Sequence, residues 1–429
     1  MSWLATRSIN VQHANQTLAL CKELFMPGAN YIVSGDLTSA NTCLNVTAPS
    51  ITVYCQGHTI TGNDAVLATK PGLTLRDCIV TSPLKAGLRI KGNSPASVTV
   101  YNSTFTGSPY GIIAAPESNL YAYSITVTNN VYGIYFNYSN NGNVLNDVLM
   151  SGNTEDSITF LNSSYNSINS LTITSVGDVG NNGVIFFNTS TDNIFNGCTI
   201  ATLNTKLWGL YDYSINNLLH SCYYNSASQD FVDGTSQLIR RWPFTGRVVD
   251  KVLNKMQGAS INFEALTPTN KNVTYKYSGI NISYGTLSGS MPSTDSQGLT
   301  YTNIIEYMNI FGTDYSSSPY NFKASYGIFT TNTLLYVDSV DSTRYHQFIL
   351  NNEIASTSLS RTAMWLILGI VFLIGIAASI GFFVVRMREG YSVVDIWKYF
   401  IILVIWLTIF MIIFYALSWF IMQTYYPKV

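Results

Sequence analysis

Charge is what this sequence has least of. Only 10% of its 429 residues are charged and the net charge is -1, whereas an ordinary soluble domain has about 25% charged residues. Without a basic excess the chain lacks the electrostatic field that a nucleic-acid-binding protein needs. Without an acidic excess it does not have the composition of an acidic disordered chain. We therefore expect a folded protein with no nucleic-acid partner.

Side chains that bind metals are also scarce. The chain has four histidines, and no two of its six cysteines form a Cys-x-x-Cys pair. A zinc site is therefore not expected, and nothing in the sequence indicates a cofactor. We interpret His58, in the string QGHTITG, as a structural hydrogen-bonding residue in a turn.

Hydrophobicity is concentrated near the C-terminus. Residues 363–385 and 399–422 contain no charged side chain, and about 20 apolar residues are enough to cross the hydrocarbon core. We expect two transmembrane helices joined by the linker 386–398. Its Arg386, Arg388 and Lys398 place the linker in the cytoplasm and the preceding residues outside the cell.

Small residues in the first predicted helix would let another helix approach closely. They indicate either packing within the hairpin or docking on another membrane subunit. Neither helix contains an ionisable residue, so a transport pathway is not expected. The packing positions are Gly375, Ala377, Ala378 and Gly381.

Residues ahead of the hairpin have the features of an extracellular domain. In that context an even number of cysteines favours disulfides, with buried free thiols as the alternative and the pairing left open. Asn-x-Ser/Thr sequons predict glycosylation at several positions. A domain translocated in this way is expected to follow a signal peptide, whose apolar core is not visible in MSWLATRSINVQHANQTLALCKELF. The sequons are at Asn15, Asn45, Asn102, Asn137, Asn162, Asn188, Asn272 and Asn281, and the cysteines are Cys21, Cys43, Cys55, Cys78, Cys198 and Cys222.

A repeat of short alternating strings predicts the main fold. The strings are AGLRI at Gly87, YGIIA at Gly111, YGIYF at Gly133, DSITF at Ser157, NGVIFF at Gly183 and WGLYDY at Gly209. A period of roughly 20–26 residues with short strands and no helical periodicity is typical of a parallel β-solenoid. The Leu register of a leucine-rich repeat is missing, and a β-propeller would need a longer period.

Stacking of successive coils at about 4.8 Å makes two further predictions. Asparagines in the turns can adopt positive φ and bond the equivalent asparagine one coil away. Cys198 and Cys222 are at equivalent positions in successive coils, so stacking would bring them within disulfide range unless they stay reduced in the core.

The N-terminal half resembles NosD-like right-handed parallel β-helix proteins, most closely the surface versions found in archaeal genomes. The resemblance covers roughly residues 15 to 240, and it implies a fold but no particular activity. It extends into the repeats through LTLRDCIV and YGIYF. The matching residues are Cys21, Pro27, Gly28, Tyr31, Cys43, Cys55, Gly57, His58, Ile60 and Gly62.

Residues 242–355 no longer follow the solenoid spacing, and their alternating strands predict a small β-sandwich. This segment resembles carboxypeptidase-regulatory-like modules, which act as spacers, although Lys255 and Met256 stand where those modules usually have a proline. Asp295 and Gly298 are expected to shape a turn. The matching residues are Val249, Asp250, Gly258, Ala259, Thr294, Asp295, Gly298, Tyr320, Phe322, Ala324 and Ser325. The predicted fold is thus mainly β, with a β-helix over 1–241, a sandwich over 242–355 and two transmembrane helices.

Catalytic patterns are weak. No Arg or Lys occurs between Lys91 and Lys206, where a lyase acting on an anionic polysaccharide would need cations. The acidic residues of the repeats are therefore expected in turns or facing solvent, and an enzyme is not expected. These residues are Asp147, Glu155, Asp156, Asp178, Asp192 and Asp212.

Tyrosine is abundant in the repeats. Exposed rings can stack on sugars or on a partner protein, although core and turn positions would account for the same residues. The repeat tyrosines are Tyr110, Tyr132, Tyr135, Tyr138, Tyr211, Tyr213, Tyr223 and Tyr224.

These observations favour a glycosylated protein of the cell membrane whose extracellular β-helix acts as a surface scaffold, adhesion or recognition module. One alternative is an accessory subunit of a larger membrane complex. Another is a carbohydrate-active enzyme, a lyase or hydrolase, that uses one face of the β-helix. The expected partners are the membrane itself and either other membrane subunits or surface glycans.

The topology can be tested on intact cells. We expect glycans on several of the sequon asparagines and none in the linker 386–398, because the two lie on opposite sides of the membrane. Mass spectrometry of glycopeptides and surface proteolysis measure this. Cleavage of the linker by a protease added outside would contradict the orientation.

Overall fold

The computed structural model describes most of the chain up to residue 350. The described ranges are 15–91, 96–139, 142–176, 185–201, 207–224, 230–266, 274–277, 280–283, 287–337 and 344–350, together with positions 381, 384, 385, 388, 394, 397, 398, 400 and 401. Of residues 175, 176, 186, 274–277, 280–283 and 316 only the backbone is described. The chain divides into two compact units, Met1–Leu350 and Asn351–Val429.

In the second unit the described positions are helical. Within the described parts of the chain, no helix is both long and apolar enough to cross a membrane. Apart from these few positions, the predicted segments 363–385, 386–398 and 399–422 lie outside the described residues. Gly381 is described as helical, whereas the other packing positions, Gly375, Ala377 and Ala378, are not described.

The first unit begins with a right-handed parallel β-solenoid, which confirms the fold predicted from the repeat. Its strands are β1 (Gln16–Leu18), β2 (Lys22–Leu24), β3 (Asn30–Val33), β4 (Leu37–Thr38), β5 (Leu44–Val46), β6 (Thr52–Tyr54), β7 (Thr59–Thr61), β8 (Asp64–Ala68), β9 (Leu73–Arg76), β10 (Ile79–Thr81), β11 (Ala86–Ile90), β12 (Ala96–Tyr101), β13 (Thr104–Thr106), β14 (Tyr110–Ala114), β15 (Ser118–Thr128), β16 (Tyr132–Asn137), β17 (Val144–Asn153), β18 (Ile158–Leu161), β19 (Ser167–Val176), β20 (Ile185–Asn188), β21 (Ile194–Ile200), β22 (Trp208–Tyr211), β23 (Asn217–Tyr223) and β24 (Asp230–Val232).

Ten of these strands form one fully parallel sheet, which we call the ten-strand sheet. Its order is β2-β5-β8-β11-β14-β16-β18-β20-β22-β24. Inward residues of successive coils stack in register. One example is the run of rings at Phe136, Phe160 and Phe187, whose centroids are 5.1 and 4.9 Å apart. Apolar side chains at every second strand position thus fill a continuous core.

The other solenoid strands belong to a second sheet whose strands bend at one fixed point of the coil. The residue at the bend has positive φ in coil after coil, which separates two flat faces of this sheet. Polar residues tolerate this left-handed conformation better than β-branched ones. The bend residues are Asp77, Asn102, Ser124, Asp147, Ser170, Gly197 and Ser221.

A ladder of buried asparagines runs along another turn of the coil. The Asn143 side-chain amide donates to Asn166 Oδ1 at 2.6 Å, Asn166 donates to Asn193 Oδ1 at 2.7 Å, and Asn193 donates to Asn217 Oδ1 at 3.0 Å. The same oxygens accept backbone N–H groups of the preceding coil. The prediction that turn asparagines bond one another between coils is confirmed.

All six cysteines form disulfides between adjacent coils. Cys198 is bonded to Cys222, the pair predicted from equivalent positions, with their Cα atoms 4.3 Å apart. The other bonds are Cys21–Cys43 and Cys55–Cys78. The alternative of buried free thiols is therefore wrong in this structure.

Residues after the solenoid form two facing sheets. The strands are β25 (Gln237–Asp250), β26 (Ser260–Ala265), β27 (Thr274–Tyr277), β28 (Ile280–Ser283), β29 (Ser288–Ser290), β30 (Leu299–Ile310), β31 (Thr313–Ser316), β32 (Tyr320–Tyr326), β33 (Phe329–Leu335) and β34 (Tyr345–Leu350). One sheet has the order β29-β26-β32-β33, the other contains β25, β30, β31 and β34, and β27 and β28 form a separate two-stranded sheet. Between them Phe244 stacks on Phe322 at 4.4 Å. Asp295 accepts N–H groups of Gln297 and Leu299, so its predicted turn role is confirmed.

Strand β25 joins the solenoid to this sandwich without a break. On one side its first half pairs in parallel with β23 and its second half with β34, while β30 pairs antiparallel along the other side from Gln237 to Arg247. The predicted boundary at residues 241 and 242 therefore falls inside one strand. Arg240 pairs with Glu306 at 2.7 Å, and the Trp242 indole also donates to Glu306. This buried contact fixes the junction between solenoid and sandwich.

The asparagine ladder can be tested by removing one of its members. Asn193→Ala deprives both the amide and the backbone N–H of Asn166 of their acceptor. Buried donors without partners cost about 1–3 kcal/mol each, so we expect a loss of roughly 3 kcal/mol of unfolding free energy. Urea unfolding followed by circular dichroism measures it.

Asn196→Ala is the matched control. Asn196 donates to Asn169 at 2.9 Å on the half-exposed outer face, where water can replace the bond, so we expect a loss under about 1 kcal/mol. Equal urea-unfolding midpoints for the two variants would contradict the proposed contribution of the buried asparagine ladder to stability.

Candidate functional site

A group of tyrosines and carboxylates lies on the outer face of the ten-strand sheet. Tyr110 of β14 and Tyr132 of β16 are paired in register, so one ring lies directly over the other. The next coil brings Asp156 to the same place, where its carbonyl accepts the N–H of Gly133 at 3.0 Å. Three successive coils therefore contribute equivalent positions to one site.

The tyrosine cluster consists of Tyr110, Tyr132 and Tyr135, all half-buried. The centroids of Tyr110 and Tyr132 are 5.0 Å apart in a stacked arrangement, and Tyr135 meets Tyr110 edge-on at 5.4 Å. Burial raises the pKa of Tyr132 and Tyr135, and the neighbouring carboxylates of Glu155 and Asp156 raise the pKa of Tyr132 further. The phenols stay neutral at physiological pH and can both donate and accept hydrogen bonds.

Asp156 is the buried carboxyl of the site. It is 2% exposed, and its Oδ2 accepts the Thr159 hydroxyl at 2.9 Å. Its Oδ1 is buried without a hydrogen-bond partner. Burial raises the pKa of Asp156 to about 7, helped by the charge of Glu155 and opposed by the Thr159 bond. A buried carboxyl with an unused oxygen is unusual and is typical of functional sites.

Chemically, this arrangement combines aromatic faces with a carboxyl that can be neutral or charged near pH 7. Aromatic rings stack on the apolar faces of sugars, and the half-buried phenols can bond sugar hydroxyls. An ion pair lies on the same sheet, between Arg89 Nε and Asp64 Oδ1 at 3.2 Å. The two opposite charges of this pair offset each other.

The remaining acidic candidates have structural roles. Asp147 is a bend residue, with a φ of 53°. Asp192 accepts an amide N–H of Asn216 at 3.1 Å, and Asp212 accepts one of Asn188 at 2.6 Å. Their predicted turn positions are confirmed, whereas Asp178 lies outside the described residues.

His58 lies in the turn that precedes β7. The backbone N–H of His58 donates to Cys55 in a turn, and its imidazole lies 3.7 Å from Asp36. In the described ranges, no three His, Cys, Asp or Glu side chains are grouped as metal ligands would be.

The sequon asparagines occupy varied positions. Asn15 and Asn102 are exposed, whereas Asn45, Asn137, Asn162 and Asn188 are half-buried. Asn272 lies outside the described residues, and only the backbone of Asn281 is described. Glycosylation stays a prediction.

The sequence identifies the tyrosines and Asp156 separately but not as one site. Their period is the signal, because Tyr110, Tyr132 and Asp156 follow one another at the coil spacing of 22 and 24 residues. The burial of Asp156 and its bond to Thr159 have no comparable signature in the sequence.

Comparison with known proteins agrees with this fold. A family model described as "Right handed beta helix region" matches residues 39–200. Together with the parallel coils, the match identifies a parallel β-helix protein. No curated protein matches the sequence.

Two solved structures are similar at a low level. ORF18 of Geobacillus virus E2 is 12% identical, with 76% of this chain and 67% of that chain covered and a TM-score of 0.27. The tailspike gp49 of Acinetobacter baumannii bacteriophage Fri1, a capsular polysaccharide depolymerase, is 9% identical, with coverages of 75% and 82% and a TM-score of 0.22. At these scores neither similarity bears on function.

The environment of Asp156 predicts a pH-dependent stability. Its pKa is about 7 in the folded chain against 3.8 for an aspartate carboxyl exposed to water. Between these values the unfolded chain releases the proton and the folded chain keeps it, so stability falls as pH rises from about 4 to about 7. Asp156→Asn removes this penalty, and above pH 7 the variant should be more stable by on the order of 4 kcal/mol.

Urea unfolding of both proteins across this pH range measures the difference. Asp147→Asn, at an exposed bend, is the matched control and should leave the pH dependence unchanged. If the unfolding free energies of Asp156→Asn and the wild type differ by the same amount at every pH from 4 to 8, the buried carboxyl is not protonated as inferred.

Proposed function

We propose that this chain is a membrane-anchored extracellular recognition protein that binds an uncharged glycan on the ten-strand sheet. The observation that carries the proposal is the tyrosine cluster on adjacent coils beside the unpartnered oxygen of Asp156. A half-buried aromatic platform next to a polar group that lacks a partner is an arrangement that recognises sugars.

Charge selects the class of glycan. No Lys or Arg lies between Lys91 and Lys206, and the site itself contains Glu155 and Asp156. An anionic polysaccharide would meet these like charges, with Lys85, one coil before Tyr110, as a neighbouring cation. A neutral chain has no such cost, and its successive sugars could follow the stacked coils, which repeat at about 4.8 Å.

Membrane anchoring is supported by the uncharged segments 363–385 and 399–422. An extracellular location is supported by the three disulfides, because such bonds persist mainly in oxidising compartments. The predicted glycans agree with the same location. A surface scaffold or adhesion role would use the same architecture.

A carbohydrate-active enzyme is the second candidate, and one observation favours it. Glycosidases pair a protonated carboxyl with an ionised one, and the pKa of Asp156 is raised to about 7 beside Glu155. The accessory-subunit alternative depends on the small residues of the first predicted helix. It would show as a partner that co-purifies after gentle detergent extraction.

Binding to an array of neutral oligosaccharides tests the leading proposal. Tyr132→Ala removes the central ring of the cluster, and we expect affinity to fall about tenfold, which corresponds to about 1.4 kcal/mol for a central aromatic contact. Tyr301→Ala, which removes a ring 58% exposed on the sandwich, should bind like the wild type.

Equal binding by the Tyr132→Ala variant and the wild type would contradict the site. Shortened sugar chains in the same incubations, abolished by Asp156→Asn, would favour the enzyme over the recognition protein. Intact chains with retained binding would favour recognition.

A further inference from the structure

The chain leaves the sandwich at a defined end. Strand β34 pairs in parallel with β25, and Leu350 lies beside Asp250 where both strands end. Residues 351–362 then lead to the apolar segment that begins at residue 363. If that segment crosses a membrane, as proposed above, the chain departs toward the lipid from this end of the sandwich.

Two turns lie at the same end. The loop 251–259 follows β25 and leads into β26, which begins at Ser260. Ser260 is paired with Ser325 near the end of β32, so the hairpin between β32 and β33 lies next to the start of β26. The loop and the hairpin turn are therefore neighbours on the side where the chain exits.

Large apolar side chains project from both turns. We define the apolar rim as Val252, Leu253 and Ile328, which are 74%, 59% and 81% exposed. Single exposed apolar residues are common on soluble proteins. Here three large apolar side chains lie on two neighbouring turns at the end from which the chain departs. Such a group indicates a surface that contacts an apolar environment.

The first turn is built to hold its apolar tips outward. The Asp250 carboxylate accepts the backbone N–H groups of Val252 and Asn254 at 2.9 and 2.8 Å, and its carbonyl accepts that of Leu253 at 3.0 Å. Leu253 has a φ of 66°, a left-handed conformation that costs on the order of 1–3 kcal/mol for a side chain of this kind. A turn that needed only to connect two strands would have a glycine or asparagine at that position.

The charges around the rim are suited to a lipid surface. Lys251 and Lys255 flank Val252 and Leu253 and are exposed. The acidic residue of the loop, Asp250, is buried and occupied by the turn's own N–H groups. Apolar tips beside exposed lysines match the acyl boundary and the anionic headgroups of a bilayer.

We propose that the apolar rim inserts into the headgroup layer of the membrane that anchors the chain. The inference rests on the proposed membrane anchoring and adds a second contact to it. Twelve residues, 351–362, separate the sandwich from the proposed span, and such a link raises the effective concentration of the rim at the bilayer, so a weak intrinsic affinity is enough for contact.

The test uses the full chain reconstituted into vesicles of phosphatidylcholine and phosphatidylglycerol. All six native cysteines are disulfide-bonded, so Ile328→Cys supplies a single thiol for an environment-sensitive fluorophore. We expect its emission to rise at least about twofold in vesicles and to be quenched by nitroxide-labelled lipid, because the tip lies among the acyl chains. Val252→Cys gives a second, independent reading.

Leu84→Cys is the matched control, since Leu84 is 66% exposed on the solenoid. The emission of a fluorophore at this position should stay as it is in water and should not be quenched by the nitroxide-labelled lipid. If the vesicles carry the chain on flotation but the labels at 328 and 252 behave like the control, the rim does not insert and the anchoring stands. If the chain does not float with the vesicles, the anchoring and the inference fail together.

Discussion

Parallel, in-register pairing between successive coils is the constraint on which the rest of this structure depends. It places each residue directly over its equivalent in the next coil, about 4.8 Å away. Every position must therefore carry a side chain that is compatible with a near copy of itself. Phenylalanines meet this condition by stacking in the core, asparagines by bonding one another in the buried turn, and cysteines by forming disulfides. The tyrosine cluster follows from the same rule on the outer face.

That rule explains which features could be predicted from the sequence. The repeat spacing indicated the solenoid, the pairing of Cys198 with Cys222 and the bonds between asparagines, because all three depend only on equivalence between coils. The spacing also relates Cys21 to Cys43, Cys55 to Cys78 and Tyr132 to Asp156. Those relations become evident only once the register of each coil is known. The irregular spacing of the first coils hides that register in the sequence.

Features that depend on packing between distant segments were beyond sequence reasoning. The burial of Asp156 is set by the neighbouring coils, and its raised pKa follows from that burial. Arg240 and Glu306 meet across 66 positions of sequence, and no local pattern connects them. Composition changes near Trp242, but hydrogen bonding carries β25 through the change, so solenoid and sandwich share one strand.

The scarcity of charge has the same origin as the fold. Two like charges one coil apart repel by roughly 1 kcal/mol even at the dielectric constant of water, and a column of them would accumulate that repulsion along the solenoid. Uncharged Asn, Ser, Thr and Tyr avoid it while still bonding water or one another. Two of the charges that do occur have unlike neighbours, since Arg76 lies over the Tyr101 ring at 4.2 Å and Arg89 faces Asp64. A surface selected in this way is neutral and rich in hydroxyl, amide and aromatic groups, which are the groups that bind sugars.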